Sequence, residues 1–226
     1  MQTIVLREQS SRLASMKVMV HEMLHFKSYN ALQVTTEKGK LTQYRTGLKM
    51  RSRDGKRLYF KSLDEAVIEE LTKRLVTELK GNTLFEDEVR KTEEIIIKYP
   101  KAKSTKGTPL FDKDTVYAEV EDKKSWGASV GRLVGLGEMF KKINTNKFTY
   151  PLEREILDII TKKILEKNTD QFDDTEEVFE LFAKAVMTGN VLEVGKLIDT
   201  SFGVGTFRSI GKNSSIQTKI EFVKSL

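Results

Sequence analysis

The segment His21-Glu22-Met23-Leu24-His25 holds both histidines of a 226-residue chain, one helical turn apart, with a glutamate beside the first. On a helix, residues four apart stack on one face, so two imidazoles in this pattern can be aimed at a single point. Such a pair is suited to a metal ion, and the flanking carboxylate is within reach of a water held by the same ion. The chain has no cysteine, so any metal must be held by His, Asp or Glu. Two ligands do not hold a catalytic zinc: a third protein ligand is required, with the fourth position left for water.

A source of that third ligand lies downstream. The stretch "LDEAVIEE" offers Asp64, Glu65, Glu69 and Glu70. Glu65 and Glu69 have the same four-residue spacing as the histidines and share a helix face. A metal-bound histidine also needs an acceptor for its other ring N–H.

The H-E-x-x-H segment and "LDEAVIEE" together resemble the gluzincin metallopeptidases, in which a second helix carries Asn-Glu-Ala-x-x-x-Asp/Glu. The short layout of His helix, hairpin and Glu helix is most similar to the compact minigluzincins, over about residues 13 to 80. The resemblance implies Zn²⁺ held by His21, His25 and Glu65, with Glu69 orienting the first zinc-bound histidine. It also implies Glu22 as the general base and a peptide or protein as substrate. Asp64 stands where the family usually has Asn. Two further departures are visible. Only about 20 residues precede the motif, which leaves little room for upstream strands, and no histidine remains to stabilise an oxyanion. That role falls to a tyrosine or arginine, the candidates being Tyr59, Tyr150 and Arg154, with Tyr150 taken as the catalytic one; a phenol O–H can donate to a developing oxyanion.

These residues need elements to hold them. From about Ser11 to Asn30, Leu13, Met16, Val20 and Leu24 recur at helical spacing, with Met19, Met23 and Phe26 widening the stripe and a cap near Ser10 or Ser11. The next thirty or so residues alternate β-branched or aromatic with polar side chains, and Asp54-Gly55 is a hairpin signal, so two or three antiparallel strands are expected. A second helix follows, with Ser62 as N-cap, Glu65 in a capping-box position and Gly81 at its stop. A third, about 86 to 98, ends at Pro100 and leads into a loop.

The remainder reads as mostly helical. Gly127, Gly131 and Gly135, four apart, suggest a smooth packing face; no Gly-Lys-Ser/Thr ending follows to make a phosphate loop. Pro151 opens a helix, "DDTEEVFELFAKAVMTGN" has cap signals at both ends, and "VLEVGKLIDTSF" closes the set. From about 214 the chain reads as a loosely attached tail. The expected fold class is α+β: a compact zincin-like catalytic domain over 1–100, a linker over 101–115, and a mostly α-helical C-terminal region over 116–226.

Composition narrows the function classes. No apolar run approaches the roughly 18 to 20 residues that span a bilayer, which excludes a membrane helix. The N-terminus lacks the basic and long apolar regions of a secretory signal, so a cytoplasmic address is expected. The net charge of +6 invites a nucleic-acid reading, but most lysines are interleaved with Glu and Asp as on solvated helix faces. The exception is "KMRSRDGKR", with Lys49, Arg51, Arg53, Lys56 and Arg57. The expected activity is therefore zinc-dependent peptide hydrolysis. The alternatives from other classes are a non-catalytic zincin-like module that binds a partner, and a basic nucleic-acid-binding protein. Retention of Glu22 favours hydrolysis, because a purely structural metal site needs no base.

Overall fold

The first helix, α1 (Arg12–Lys27), starts where side chains are available to cap it. Ser11 Oγ accepts from the Ala14 N–H at 2.9 Å, and the Glu88 carboxylate accepts from the Arg12 and Leu13 N–H groups at 3.0 Å each. Three of the donors that a helix N-terminus leaves without intrahelical partners are thus satisfied. The computed structural model describes residue 9 and residues 11–35, 40–122, 141–212 and 215–226. The expectations at Ser10 and at Gly127, Gly131 and Gly135 lie outside the described residues.

The apolar stripe of α1 is narrower than its sequence suggests. Leu13, Ala14 and Met16 are buried, but Met19, Met23 and Phe26 are between 42% and 49% exposed. In the second half of the helix, His21 and His25 take inward positions, next to Leu24, which packs on the core.

Four antiparallel strands follow in sequence order: β1 (Asn30–Thr35), β2 (Lys40–Thr46), β3 (Lys49–Arg51) and β4 (Leu58–Tyr59). This is one strand more than expected. The Asp54-Gly55 hairpin is present, with the Ser52 N–H donating to the Arg57 carbonyl at 2.9 Å. A second tight turn, Gly47-Leu48, joins β2 to β3, and Gly47 has φ +55°, where a residue without a side chain is unstrained.

The Glu-bearing helix α2 (Lys61–Leu79) starts one residue before the expected cap. Phe60 is the capping residue, its carbonyl accepting from the Asp64 N–H at 2.9 Å, and it holds φ +60°. Ser62 therefore lies inside the helix, and Glu65 faces the histidines instead of closing a capping box. Tertiary contacts override the local preference. The buried Phe60 ring stacks on Phe207 at 4.4 Å, and its N–H donates to the Gly211 carbonyl at 3.0 Å. These contacts fix a backbone corner that the sequence alone disfavours.

A short 3₁₀ turn (Thr83–Phe85) leads to α3 (Glu86–Lys98), and then β5 (Thr115–Asp122) pairs antiparallel with β6 (Lys141–Lys147). The helical expectation beyond 116 is thus corrected at these two strands. Val116 and Ala118 are buried two residues apart, the period of a half-buried strand. Five helices follow: α4 (Pro151–Lys167), α5 (Thr175–Thr188), α6 (Val191–Phe202), α7 (Thr206–Gly211) and α8 (Ile216–Ser225). Pro151 opens α4, Asp174 caps α5 by accepting from the Glu176 and Glu177 N–H groups, and Gly189 ends it at φ +82°. The molecule is α+β, with no helix among the described residues long and apolar enough to cross a membrane.

Contacts divide the chain into two units. One contains Val20–Arg74 and Thr149–Leu226. The other contains α1 up to Met19 and the described residues of Leu75–Phe148. This differs from the expected split at 101–115, because the apolar face of α2 needs partners that only the later helices supply. Leu63, Ala66 and Val67 share one core with Ile156, Ile160 and Ile164 of α4, Phe182 of α5 and Ile198 of α6. The expected loose tail is corrected too: Ile220 and Val223 of α8 are buried in that core, and Lys219 Nζ donates to Ser62 Oγ at 3.1 Å. In the other unit, the Ala118 N–H of β5 donates to Thr92 Oγ1 of α3 at 3.2 Å, and Lys17 Nζ donates to the Lys147 carbonyl at 2.8 Å.

Candidate metal centre

The face of α2 opposite its apolar residues carries Asp64, Glu65 and Glu69, all buried, with Asp64 and Glu69 at 0% exposure. Buried carboxylates are costly unless partnered, so their partners define the site. His21 Nδ1 lies 2.7 Å from Glu69 Oε2, while its Nε2 lies 3.8 Å from Glu65 Oε2. His25 Nε2 lies 3.3 Å from the same Glu65 oxygen, and its Nδ1 is 3.9 Å from Asp64 Oδ2. Both imidazoles thus turn one nitrogen toward Glu65 and the other toward a carboxylate behind it.

The donor set fits a small divalent ion. One ligand atom from each of His21, His25 and Glu65 lies within 4.8 Å of the others. Tetrahedral coordination at about 2.0–2.1 Å sets neighbouring ligand atoms roughly 3.3–3.4 Å apart. The 3.3 Å and 3.8 Å separations about Glu65 Oε2 need only small movements to meet that. Glu69, 2.7 Å from His21 Nδ1, stands where an outer acceptor would hold a ligating imidazole in orientation, whereas Asp64, 3.9 Å from His25 Nδ1, lies beyond hydrogen-bond reach.

Lys49 completes the arrangement and was not anticipated as part of it. Its Nζ lies 3.2 Å from Asp64 Oδ2 and 3.3 Å from Glu65 Oε1. Burial by itself would raise the Glu65 pKa, but the His25 hydrogen bond and the Lys49 charge outweigh it and hold the carboxyl at about 2. For Asp64, burial prevails and its pKa is raised despite Lys49 and the Leu48 N–H, which donates to Oδ1 at 2.7 Å. In the sequence Lys49 is one of five cations in a basic run. The signal that could have singled it out is its place directly after the Gly47-Leu48 turn, opposite a helix rich in carboxylates.

Gly47 is the second unanticipated contributor. A Cβ there would lie 2.3 Å from Asp64 Oδ1. The Gly47 N–H donates to the Tyr29 carbonyl at 2.8 Å, and the Tyr29 N–H donates to the Val186 carbonyl of α5 at 3.0 Å. The late helices therefore hold the turn that abuts Asp64.

The expected catalytic residues are distributed as follows. Glu22 lines a cleft of about 500 Å³ together with His25, Phe26, Lys49 and Glu65. Tyr150 stacks on His21, with ring centroids 6.1 Å apart, and its hydroxyl lies in the field of the Glu65 and Glu69 carboxylates. Burial, then the charges of Glu65 and Glu69, push its pKa up to about 12, so the phenol stays protonated at neutral pH. Tyr150 holds φ +55° just before Pro151, and the preceding Thr149 N–H donates to Glu69 Oε1. Tyr59 instead packs against the core from β4. Arg154 sits behind the turn, its Nε donating to the Thr149 carbonyl at 3.3 Å.

No family model matches the chain, and no curated protein or solved structure matches it either.

Proposed function

We propose that this protein is a zinc-dependent metallopeptidase of the gluzincin type. The observation that supports the reading best is the convergence of His21, His25 and Glu65 with Glu69 against the free nitrogen of His21. His21, His25 and Glu65 would hold the Zn²⁺, which would supply a bound water with a pKa lowered to about 7 and a Lewis acid for the carbonyl. Glu22, beside the first ligand and on the wall of the cleft, takes the proton from the attacking water and passes it to the leaving amine. Tyr150, protonated throughout the neutral range, is the phenol that would donate its O–H to the developing oxyanion.

Two variants test this. Glu22→Gln is expected to bind zinc as wild type does and to hydrolyse no peptide; Glu65→Ala is expected to bind zinc much more weakly. Retained hydrolysis in the first or unaltered affinity in the second overturns the assignments. Because metal binding to the folded state is linked to folding, a chelator is also expected to lower the melting temperature of the wild-type protein as purified with its metal.

A further inference from the structure

The cleft beside Glu22 has a cationic wall. In β3, Lys49 and Arg51 are two residues apart and so lie on the same face, whereas Met50 between them joins the core. Their cross-strand partners, Thr46 and Leu58, line the cleft with them. Arg45 and Lys61 bring the cations of the lining to four, and Lys61, the first residue of α2, stands at the end of the helix where partial positive charge accumulates.

The acidic side chains of the lining are Glu22 and Glu65, and both belong to the metal centre. Lys49 is committed to Asp64 and Glu65. Arg45 is half-buried, with its Nε donating to the Gly47 carbonyl at 2.8 Å and its guanidinium over the Tyr29 ring. A cleft of about 500 Å³ therefore carries four cations, of which Arg51 and Lys61 are the exposed ones without an acidic partner among the described residues. That volume holds a few side chains of an extended peptide.

We propose that the cleft selects acidic peptides, with an Asp or Glu side chain of the substrate seated between Arg51 and Lys61. The inference rests on the peptidase reading of the metal centre. A nucleic-acid backbone carries the same sign of charge, but its footprint is an extended basic stripe. Here the "KMRSRDGKR" run is divided: Lys49 and Arg51 enter the cleft, whereas Lys56 and Arg57 stand in the exposed turn beside Asp54.

The test reads binding without turnover. Zinc-loaded Glu22→Gln protein is titrated with short labelled peptides that differ only in carrying Glu, Gln or Lys at their central positions. The Glu peptide is expected to bind about tenfold tighter than the Gln peptide, with the Lys peptide weakest, as charge-assisted pairing requires. Adding Arg51→Gln and Lys61→Gln is expected to bring the Glu and Gln peptides to equal affinity; both positions are exposed, so folding should not be affected. Equal binding of all three peptides, no binding of any, or a preference that survives the added substitutions overturns the proposal. So does tighter binding of a single-stranded oligonucleotide of similar length than of the Glu peptide, which would point to a nucleic-acid groove. A Glu preference accompanied by no hydrolysis in wild type would sink the peptidase reading and leave the acidic selectivity standing.

Discussion

Glu69 joins His21 to Thr149: one carboxylate oxygen lies 2.7 Å from His21 Nδ1 and the other accepts the Thr149 N–H. A fully buried side chain thus fixes the orientation of one proposed ligand and, through the adjacent backbone, the left-handed turn that carries Tyr150. Glu69→Ala is expected to weaken metal binding by about 10- to 100-fold, the usual effect of removing the acceptor behind a ligating histidine. Glu69→Gln should lose less, because the amide oxygen still accepts one of the two N–H groups. Chelator competition measures both, and wild-type affinity in Glu69→Ala would remove Glu69 from the site.

Lys49 is the cation shared by Asp64 and Glu65, and its replacement has a pH signature. The folded-state pKa of Asp64 is raised above its ordinary 3.8, chiefly by burial. The ionised form is therefore the destabilised one, and the cost is relieved as pH falls through the folded pKa. Lys49→Met removes the charge that offsets this burial and raises that pKa further. In metal-free protein the variant is expected to lose roughly 1–3 kcal/mol at neutral pH, the scale of a hydrogen bond to a charged group. The deficit should shrink in acid, where Asp64 takes up a proton. Denaturant titrations at about pH 7 and pH 5 measure it, and a deficit that grows toward acid would contradict this account.

How much of this was legible in the sequence depends on whether local pattern or tertiary contact decides each feature. The spacing of His21 with His25 and of Glu65 with Glu69 is a helical repeat, and the structure brings the four together. Asp174, Gly189 and Pro151 cap or open helices through chemistry within a few residues, and all three were readable. The start of α2 was not, because Phe60 is held in place by Phe207 and Gly211, about 150 residues away in the chain. Lys49 was hidden for the same reason: its partners lie on a helix that the sequence does not align with β3. The strands at 115–122 and 141–147 carry a weaker local signal: the buried alternation of Val116 and Ala118 is short, and each strand is completed by its pairing with the other, which sequence pattern does not show.

Gly47 and Gly55 provide a matched pair. Both have positive φ, but a Cβ at Gly55 meets nothing within 4 Å, whereas at Gly47 it would press on Asp64 Oδ1 at 2.3 Å. Gly55→Ala is expected to cost only the backbone strain, about 1 kcal/mol. Gly47→Ala adds displacement of Asp64 from the Leu48 N–H and from Lys49, so its stability loss should exceed that of Gly55→Ala, and metal affinity should fall with it because Lys49 also pairs with Glu65. Equal losses in the two variants would show that the Gly47 turn does not support the site.

Helix α8 makes the strongest contrast with the sequence expectation. Ile220 and Val223 are 4% and 1% exposed, and they close the core that α2 shares with α4, α5 and α6. Lys219, on the same helix, donates to Ser62 in the first turn of α2, two residues before Asp64. Removing a buried branched side chain leaves a cavity and costs about 2–5 kcal/mol for an isoleucine, so Ile220→Ala should lower the melting temperature markedly. Deleting residues 215–226 would expose the α4 and α2 faces together and should abolish cooperative unfolding along with metal binding. A tail without packing contacts would leave both unchanged. Thermal melts of Ile220→Ala and of the shortened chain, each with and without zinc, separate the two cases: loss of stability and of the zinc-dependent shift together would mean that the end of the chain holds the Glu-bearing helix in register with the histidines.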